Sequence, residues 1–240
     1  MKTILPDFIG IGTQKGGTTT LHRLLEQHPQ VFLPKCKELH YFDLNYEKGD
    51  EWYRKHFDMA GRFKCYGEIT PHYLFHLETP LRIKKTVPNV KMIILLRDPI
   101  KRTLSHFYHA KKRGFEHLTL KEALEAEPQR MKSANEKIRQ RHSYISRSKY
   151  IAQLERYEKL FGPDQILIQK SEDLFSNQYN TFGNILKYLN LEDMRPLNQF
   201  VKENKGNNNA VEADPKIIIK LREVFDSTYN DIENKYGFKW

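Results

Sequence analysis

A glycine-rich segment near the N-terminus contains residue types that bind anions. Residues 12–19 read Gly-Thr-Gln-Lys-Gly-Gly-Thr-Thr and follow a short apolar run at residues 8–12. Leu21, Leu24 and Leu25 come next at helical spacing. A loop between a strand and a helix offers main-chain N–H groups and the positive end of the helix dipole to an anion. The sequence therefore predicts a phosphate-binding loop.

This loop differs from the Walker A pattern G-x-x-x-x-G-K-[ST] in the position of its lysine. Gly12, Gly17 and Thr19 match the pattern, but Thr18 stands at the lysine position and Lys15 lies three residues earlier. Because the Walker A lysine reaches the β- and γ-phosphates, its displacement argues against ordinary ATP or GTP hydrolysis. A P-loop kinase or another nucleotide phosphotransferase is the first alternative function.

A second candidate anion site follows the longest apolar run of the chain, residues 92–96. Arg97 leaves this predicted buried strand at its carboxyl end, where a guanidinium can contact a phosphate through two hydrogen bonds. Ser105 adds a hydroxyl, and Asp98-Pro99 predicts the start of a helix. Alone, Arg97-Asp98 is more typical of a structural ion pair. Two anion sites at two strand ends instead favour a nucleotide that carries phosphates at both ends of its ribose.

A third segment, residues 35–43, supplies a candidate general base. Transfer of a group to an alcohol needs a base within hydrogen-bond reach of the attacking hydroxyl, and Glu38 and His40 are the local candidates. They alternate along a chain that we expect to be extended, so they share a face. A salt bridge from Glu38 to Lys35 or Lys37 is the structural alternative.

These three segments resemble the motifs of the PAPS-dependent sulfotransferases, where PAPS is 3′-phosphoadenosine-5′-phosphosulfate. The resemblance is to the branch with the heparan sulfate N- and 3-O-sulfotransferase domains. Lys15-Gly-Gly-Thr-Thr19 is similar to the family's 5′-phosphosulfate loop, residues 96–108 to its 3′-phosphate signature, and residues 35–43 to its K-E-x-H-[FY]-F-D segment. The resemblance implies that Lys15 stabilises charge on the leaving phosphate and that Glu38 is the catalytic base.

The resemblance and the loops together indicate residues for the donor and the acceptor. The donor-binding set is Lys15, Gly16, Gly17, Thr18, Thr19, Thr20, Arg97, Ser105 and a late loop at Lys205, Gly206 and Asn207. The candidate acceptor residues are His40, His72, Arg147 and Tyr150. The late loop is equally typical of a flexible connection, and Arg147 of a solvated charge. Residues 67–73 are similar to the family's E-K-T-P-x-Y segment, but Ile69 replaces a lysine that assists the acceptor site, which leaves the acceptor open.

Alternating strand and helix patterns predict the elements that position these residues. The predicted strands are residues 7–12, 31–33, 64–69, 92–96 and 166–169, and the predicted helices include residues 18–27, 79–86, 119–142, 150–160, 177–189 and 215–236. Such alternation is typical of a mostly parallel sheet, with ligands outside the carboxyl ends of its strands. We predict one α/β domain over residues 1–240, with a central sheet flanked by helices in a P-loop-like architecture.

Composition narrows the class of protein further. The chain has 240 residues, 39% hydrophobic and 29% charged, as in globular proteins. Its longest apolar run is far short of the roughly 20 residues of a transmembrane helix, and Pro6 interrupts any signal peptide, so we predict a cytoplasmic protein. Cys36 and Cys65 are predicted to be two buried thiols, although their spacing also permits one bridge.

The charge distribution raises one more alternative. The net charge is +10, and residues 101–150 hold 13 Lys or Arg against 5 Glu. A basic nucleic-acid-binding module fits this excess, but no RNA-binding or recognition-helix pattern accompanies it, so we predict no nucleic-acid partner. His72, His106 and His109 lack the spacing of metal ligands, and we predict no metal. The preferred function is transfer of the sulfuryl group of PAPS to a hydroxyl or amino group, on a saccharide or a small metabolite, with release of adenosine 3′,5′-bisphosphate.

Overall fold

Five parallel strands form one sheet in the computed structural model, which describes residues 5–58, 63–194 and 213–240. The strands are β1 (Phe8–Gly12), β2 (Val31–Phe32), β3 (Cys65–Ile69), β4 (Lys91–Leu96) and β5 (Ile166–Lys170). Their order is β2-β3-β1-β4-β5, and each neighbouring pair is parallel. The predicted α/β class with a parallel sheet is confirmed. Lys205, Gly206 and Asn207 lie outside the described residues.

The three inner strands of the sheet, β1, β3 and β4, are almost entirely buried, which explains their largely apolar sequences. Every residue of β1 and β3 is buried, as are five of the six residues of β4, because both faces of a parallel sheet are covered. Gly10 of β1 pairs with Ile69 of β3 and with Ile93 of β4. The carboxyl ends of these three strands therefore meet at one edge of the sheet.

Eleven helices are described, and most match the predicted positions. They are α1 (Thr18–Glu26), α2 (Tyr41–Leu44), α3 (Gly49–Arg54), α4 (Thr79–Thr86), α5 (Pro99–Lys112), α6 (Leu120–Met131), α7 (Glu136–His142), α8 (Ile151–Glu158), α9 (Ser171–Ser176), α10 (Gln178–Tyr188) and α11 (Pro215–Tyr236). The single helix predicted over residues 119–142 is wrong. It is divided at Asn135, whose side-chain oxygen accepts a hydrogen bond from the Lys137 N–H and starts a new helix.

The chain divides into two compact units, residues 1–96 with 154–203 and residues 97–153 with 204–240. In the first unit, Leu21 and Leu24 of α1 share a core with Ile69 and Ile93 of the sheet. A single domain over residues 1–240 stays a prediction.

In the second unit, side chains from α5, α6 and α11 form a separate core that includes Leu104, Phe107, Ala123, Leu221 and Phe225. This core gives α5 and α11 a shared apolar face within the unit.

Polar contacts fix the start of α5 in the second unit. Asp98 accepts hydrogen bonds from the Lys101 N–H at 2.7 Å and from the Tyr229 hydroxyl at 2.9 Å, which confirms the predicted N-cap. Arg102 is fully buried, and its guanidinium donates to Ser148 Oγ and to the Tyr144 carbonyl. Burial lowers the pKa of Arg102 to about 10. Its two hydrogen bonds connect α5 to residues 144–148 inside the unit.

The two cysteines occupy different environments and both are free. Cys65 lies in β3 and is buried, as predicted, but Cys36 is exposed. The prediction for Cys36 is wrong because its segment, between two lysines, runs over the surface ahead of α2. Among the described helices, none has both the length and the apolar character needed to cross a membrane.

Candidate active site

The loop between β1 and α1 passes so close to other backbone that only glycine fits at its centre. A Cβ atom on Gly16 would lie 2.6 Å from the Leu95 carbonyl oxygen and 2.9 Å from that of Thr13. Gly17 has a φ of 92°, in the left-handed region where glycine carries no steric cost. The Ser171 hydroxyl donates to the Gly16 carbonyl at 2.7 Å and fixes the loop further.

The same loop presents donors suited to an anion. Gly17 precedes α1 and has no side chain, so it cannot cap the N–H groups of Thr18, Thr19 and Thr20. Free first-turn N–H groups and the helix dipole attract negative charge. Lys15 has a φ of 70° and adds an ammonium group to this stretch. The residues present therefore fit a phosphate or sulfate group, as the sequence predicts.

Lys37 connects this loop to the candidate base. Its Nζ donates to Thr19 Oγ1 at 3.2 Å and to Glu38 Oε1 at 2.9 Å. The salt bridge weighed as a structural alternative for Glu38 is thus present. The Lys37 ammonium therefore lies between the Glu38 carboxylate and Thr19 of the anion-binding loop.

A chain of ionisable groups extends from Glu38. His40 Nε2 lies 3.6 Å from Glu38 Oε2, and His40 Nδ1 lies 2.8 Å from Asp43 Oδ2. Glu38 and His40 do share a face, but the backbone is not extended, because their φ angles are 62° and 51°. Positive φ in residues other than glycine is strained, and such strain concentrates at functional sites.

The pKa values of Glu38, His40 and Asp43 are set by two opposed effects, burial and ion pairing. Burial acts most strongly and would raise the pKa of Glu38, but the His40 imidazolium and the Lys37 ammonium outweigh it and lower that pKa to about 2. Burial would lower the pKa of His40, but hydrogen bonding to Asp43 and the nearby Glu38 raise it to about 9. The two histidines beside Asp43, His40 and His72, overcome burial and hold its pKa well below the usual range. At neutral pH, Glu38 and Asp43 are ionised and His40 is protonated.

The remaining acceptor candidates lie in the interior. His72 is 3% exposed, and its Nδ1 lies 2.7 Å from Asp43 Oδ2. Arg147 is 2% exposed and donates to Ser143 Oγ and to the Gln140 carbonyl. Tyr150 is buried and its hydroxyl donates to the Arg97 carbonyl at 2.7 Å. Arg147 and Tyr150 are thus held by contacts inside the second unit, and their acceptor roles stay predictions.

A buried carboxyl group that sequence patterns did not indicate supports the segment that contains the candidate base. Glu68, in β3, accepts hydrogen bonds from the hydroxyls of Tyr53, Thr70 and Tyr73 at 2.8, 2.8 and 3.0 Å. Burial raises its pKa to about 7. The Tyr73 oxygen also accepts the Tyr41 N–H at 2.8 Å, which anchors the first turn of α2. The apolar and polar alternation of a strand gives no signal for such a network.

Sequence patterns also did not indicate that Asp43 and His72 are in contact. With His40 they are the group of three possible metal ligands found among the described residues, with ligand atoms within 4.8 Å of one another. Asp43 and His72 are 29 residues apart in the chain, so only the fold brings them together.

Comparison with known proteins identifies the family. A family model described as the sulfotransferase domain matches residues 5–225. The chain belongs to the sulfotransferase family. It is 29% identical over 246 residues to mouse heparan sulfate glucosamine 3-O-sulfotransferase 5, a match that covers 92% of this chain and 69% of the relative.

Two further relatives are matched over less of their own length. Human heparan sulfate glucosamine 3-O-sulfotransferase 3B1 is 31% identical over 193 residues, which cover 78% of this chain and 47% of the relative. The membrane-associated sulfotransferase kil1 of Dictyostelium discoideum is 45% identical over 107 residues, covering 43% of this chain and 23% of the relative. This chain therefore corresponds to less than half of either relative.

Solved structures share the fold. A sulfotransferase from Alicyclobacillus acidocaldarius superposes with a TM-score of 0.85 at 24% identity, covering 99% of this chain and 98% of the other. Mouse sulfotransferase SULT7A1, solved in complex with PAP, gives a TM-score of 0.62 at 15% identity and covers 96% and 84% of the two chains. The predicted sulfotransferase architecture is confirmed.

Proposed function

We propose that this sulfotransferase family member transfers the sulfuryl group of PAPS to a hydroxyl group of a saccharide, with an amino group as the other possible acceptor atom. The observation that carries the proposal is the position of Lys37, whose ammonium contacts both Thr19 of the anion-binding loop and the Glu38 carboxylate. The relatives named for heparan sulfate support the saccharide as acceptor.

The residues of the loop stabilise the leaving group. When bound, PAPS supplies the sulfuryl group: its S–O bond to the 5′-phosphate breaks while the acceptor oxygen bonds to sulfur. Lys15 and the N–H groups of residues 17–20 then offset the negative charge on the departing phosphate oxygen, whereas the Gly16 N–H donates to the Thr13 carbonyl. Arg97 and Ser105, with Lys205, Gly206 and Asn207, are the proposed contacts of the 3′-phosphate side of the nucleotide.

Glu38 accepts the proton of the acceptor hydroxyl. A carboxylate with a pKa of about 2 is a weak base toward a free alcohol. The hydroxyl proton becomes far more acidic as its oxygen bonds to sulfur, so transfer to Glu38 is favourable late in the step. His40, protonated at neutral pH, keeps Glu38 ionised and ready to accept. This scheme assigns no step to a metal ion.

The first test asks whether the nucleotide binds. Adenosine 3′,5′-bisphosphate at 100 times its Kd should stabilise the protein by about 2.7 kcal/mol, without Mg²⁺ and more than equal concentrations of ADP or ATP. Stabilisation by ATP only in the presence of Mg²⁺ would favour the kinase alternative instead.

The second test measures transfer from radiolabelled PAPS to heparan sulfate and to small hydroxyl compounds. Glu38→Gln should abolish transfer and leave bisphosphate binding intact, because the amide keeps the shape of the carboxylate but cannot accept a proton. Transfer at the rate of the unmodified protein would refute Glu38 as base. A preference for the small compounds would correct the acceptor class.

A further inference from the structure

One carboxylate oxygen in the first unit is shared by two imidazole rings. Asp43 Oδ2 lies 2.8 Å from His40 Nδ1 and 2.7 Å from His72 Nδ1, and the Asp43 side chain is fully buried. The other oxygen, Oδ1, accepts the Leu44 N–H at 2.7 Å. Both oxygens of the buried carboxylate are therefore engaged, and both histidines approach it through the same ring atom.

This geometry determines where the histidine protons are. Asp43 is ionised, and an ionised carboxylate only accepts hydrogen bonds. Each Nδ1 must therefore carry a proton and donate it to Oδ2. With its Nδ1–H committed to Asp43, His40 can turn only its Nε2 toward Glu38. A second donor on the same oxygen reduces the share of the Asp43 charge that His40 receives.

We propose that His72 is a positioning residue for the candidate base: its Nδ1–H holds Asp43 Oδ2 in the place where that oxygen fixes the ring of His40 beside Glu38. This inference rests on the proposed function for its consequence in catalysis, but its geometric part is independent of the reaction. His72 acts through Asp43 and His40, and it lies within the interior, so this role differs from acceptor binding.

Other charged groups also lie near Asp43 and His40 and affect their protonation. The base segment contributes Glu38 and Lys37, and β3 contributes Glu68, whose pKa the Asp43 charge raises. The His76 ring packs beside His72, with ring centroids 5.8 Å apart. From α4, the Arg82 guanidinium donates to the carbonyls of Phe42 and Asp43. None of these groups replaces the second hydrogen bond to Asp43 Oδ2 among the described contacts.

The distances favour a hydrogen-bonded group over a metal site. Two ligands on a tetrahedral Zn²⁺ with bonds of about 2.0–2.1 Å lie about 3.3 Å apart. The two nitrogen–oxygen distances here are 2.8 and 2.7 Å, within the range of charge-assisted hydrogen bonds. Zn²⁺ binding is nevertheless a concrete alternative that the experiment must examine.

The experiment compares two substitutions at one position. His72→Asn keeps an N–H donor near the place of Nδ1, whereas His72→Phe keeps the ring but has no donor. His117→Phe makes the same change on an exposed histidine and serves as the control. For each full-length variant, the protonation of His40 is followed by NMR of ¹⁵N-labelled imidazoles from pH 5 to 10, with the His40→Gln spectrum as assignment.

We expect His72→Phe to raise the midpoint of the His40 titration by at least half a pH unit, because the Asp43 carboxylate, still bonded to the Leu44 N–H through Oδ1, then interacts with one imidazole instead of two. His72→Asn and His117→Phe should leave the midpoint within 0.2 units of the unmodified protein. In sulfuryl transfer, His72→Phe should lower kcat about tenfold with an unchanged KM for PAPS, and His72→Asn should recover most of the loss.

Three results would overturn the proposal. An unchanged His40 midpoint in a folded His72→Phe variant would show that Asp43 does not connect the two rings. If the Asn and Phe variants have the same His40 midpoint and the same kcat, His72 contributes only packing. Binding of one Zn²⁺ per chain that is lost in His72→Phe would make the group a metal site. If the midpoint shifts as expected while no acceptor is sulfated, the proposed function fails and the positioning role stands.

Discussion

A lysine three residues ahead of its Walker A position determines what the anion-binding loop can do. Lys15 lies before the two glycines, in a left-handed backbone conformation, and the threonines of the first turn of α1 follow. This arrangement gathers positive charge and N–H donors at the start of one helix. It suits stabilisation of charge on a leaving phosphate oxygen, where a donor present before the reaction costs no rearrangement.

Removal of the Lys15 ammonium should therefore slow transfer with little effect on folding. Lys15→Ala is expected to lower kcat by about 10² to 10³, the size observed when one donor to a developing oxyanion is removed. The measurement is turnover with PAPS and a saturating acceptor. Lys55→Ala, on an exposed lysine that pairs with the exposed Glu51, should leave turnover unchanged. Full turnover in the Lys15 variant would contradict the role of the loop.

The raised pKa of His40 predicts how the free energy of unfolding depends on pH. Since the folded pKa is about 9 and the ordinary value is 6.5, the folded state holds the proton more tightly. The stabilisation is fully present below about pH 6.5 and is lost as the pH rises to about 9, with an upper limit of about 3 kcal/mol.

Urea unfolding of the protein and of His40→Gln at several pH values tests this expectation. The difference in unfolding free energy should be largest near pH 6 and should shrink steadily toward pH 9.5. A difference that is constant over this range would mean that His40 does not titrate with a raised pKa in the folded protein.

At the residue scale, the spacing of residue types indicated a candidate loop and a candidate base but not their supporting contacts. Lys15 and Glu38 lie in short segments whose chemistry is local, so their positions along the chain were enough to assign each a predicted role. The contact of Asp43 with His72 depends on the pairing of separate segments, and the hydrogen bonds of Glu68 depend on burial in β3. Local sequence contains neither kind of information.

The secondary structure elements show the same division. Strands and long helices were predicted because apolar runs, prolines and caps mark them, as Asp98-Pro99 marks α5 and Pro215 marks α11. The short helices α2, α3 and α9 were missed because four to six residues are too few to show a helical period. In α2 and α3, stacking of Tyr41 on Tyr53, with centroids 4.4 Å apart, replaces a regular pattern.

The close packing of the β1–α1 loop leads to a matched pair of glycine variants. Gly16→Ala would push a methyl group against two backbone carbonyls, which have no freedom to move aside. We expect a loss of about 1–3 kcal/mol in unfolding free energy and at least tenfold weaker binding of adenosine 3′,5′-bisphosphate. Gly162→Ala, where nothing lies within 4 Å of the added atom, should change neither quantity. Equal binding by both variants would show that the loop does not hold the nucleotide.

Helix α6 begins with a capping box that contributes to the stability of the second unit. The Thr119 hydroxyl accepts the Glu122 N–H, and the Glu122 carboxylate accepts the Thr119 N–H. Thr119→Ala should lower the unfolding free energy by about 1 kcal/mol, whereas Thr119→Ser, which keeps the cap, should be nearly neutral. Chemical denaturation of both variants measures the difference, and equal losses would exclude capping as the cause.

At the scale of the whole molecule, the excess positive charge lies largely on the surface of the second unit. Arg102 and Arg147 are buried, and Arg130 and Arg139 pair with Glu116 and Glu136. Nine cationic side chains within residues 101–150 are exposed, namely Lys101, Lys111, Lys112, Arg113, Lys121, Lys132, Lys137, Arg141 and Lys149. A surface with an excess of positive charge attracts a polyanion, and salt weakens that attraction.

This surface distinguishes a sulfated polysaccharide acceptor from a small neutral one. With heparan sulfate, KM should rise about tenfold between 50 and 200 mM NaCl, while kcat at saturation stays constant, because salt screens association rather than the chemical step. The double substitution Lys111→Glu and Lys112→Glu should raise KM at low salt and flatten its dependence on salt. Lys84→Glu with Lys85→Glu changes the net charge equally, from +10 to +6, on the adjacent lysine pair of α4. If both double variants raise KM alike, the overall charge of the protein, and not the surface of the second unit, attracts the acceptor. A KM that does not depend on salt would show that the acceptor is uncharged.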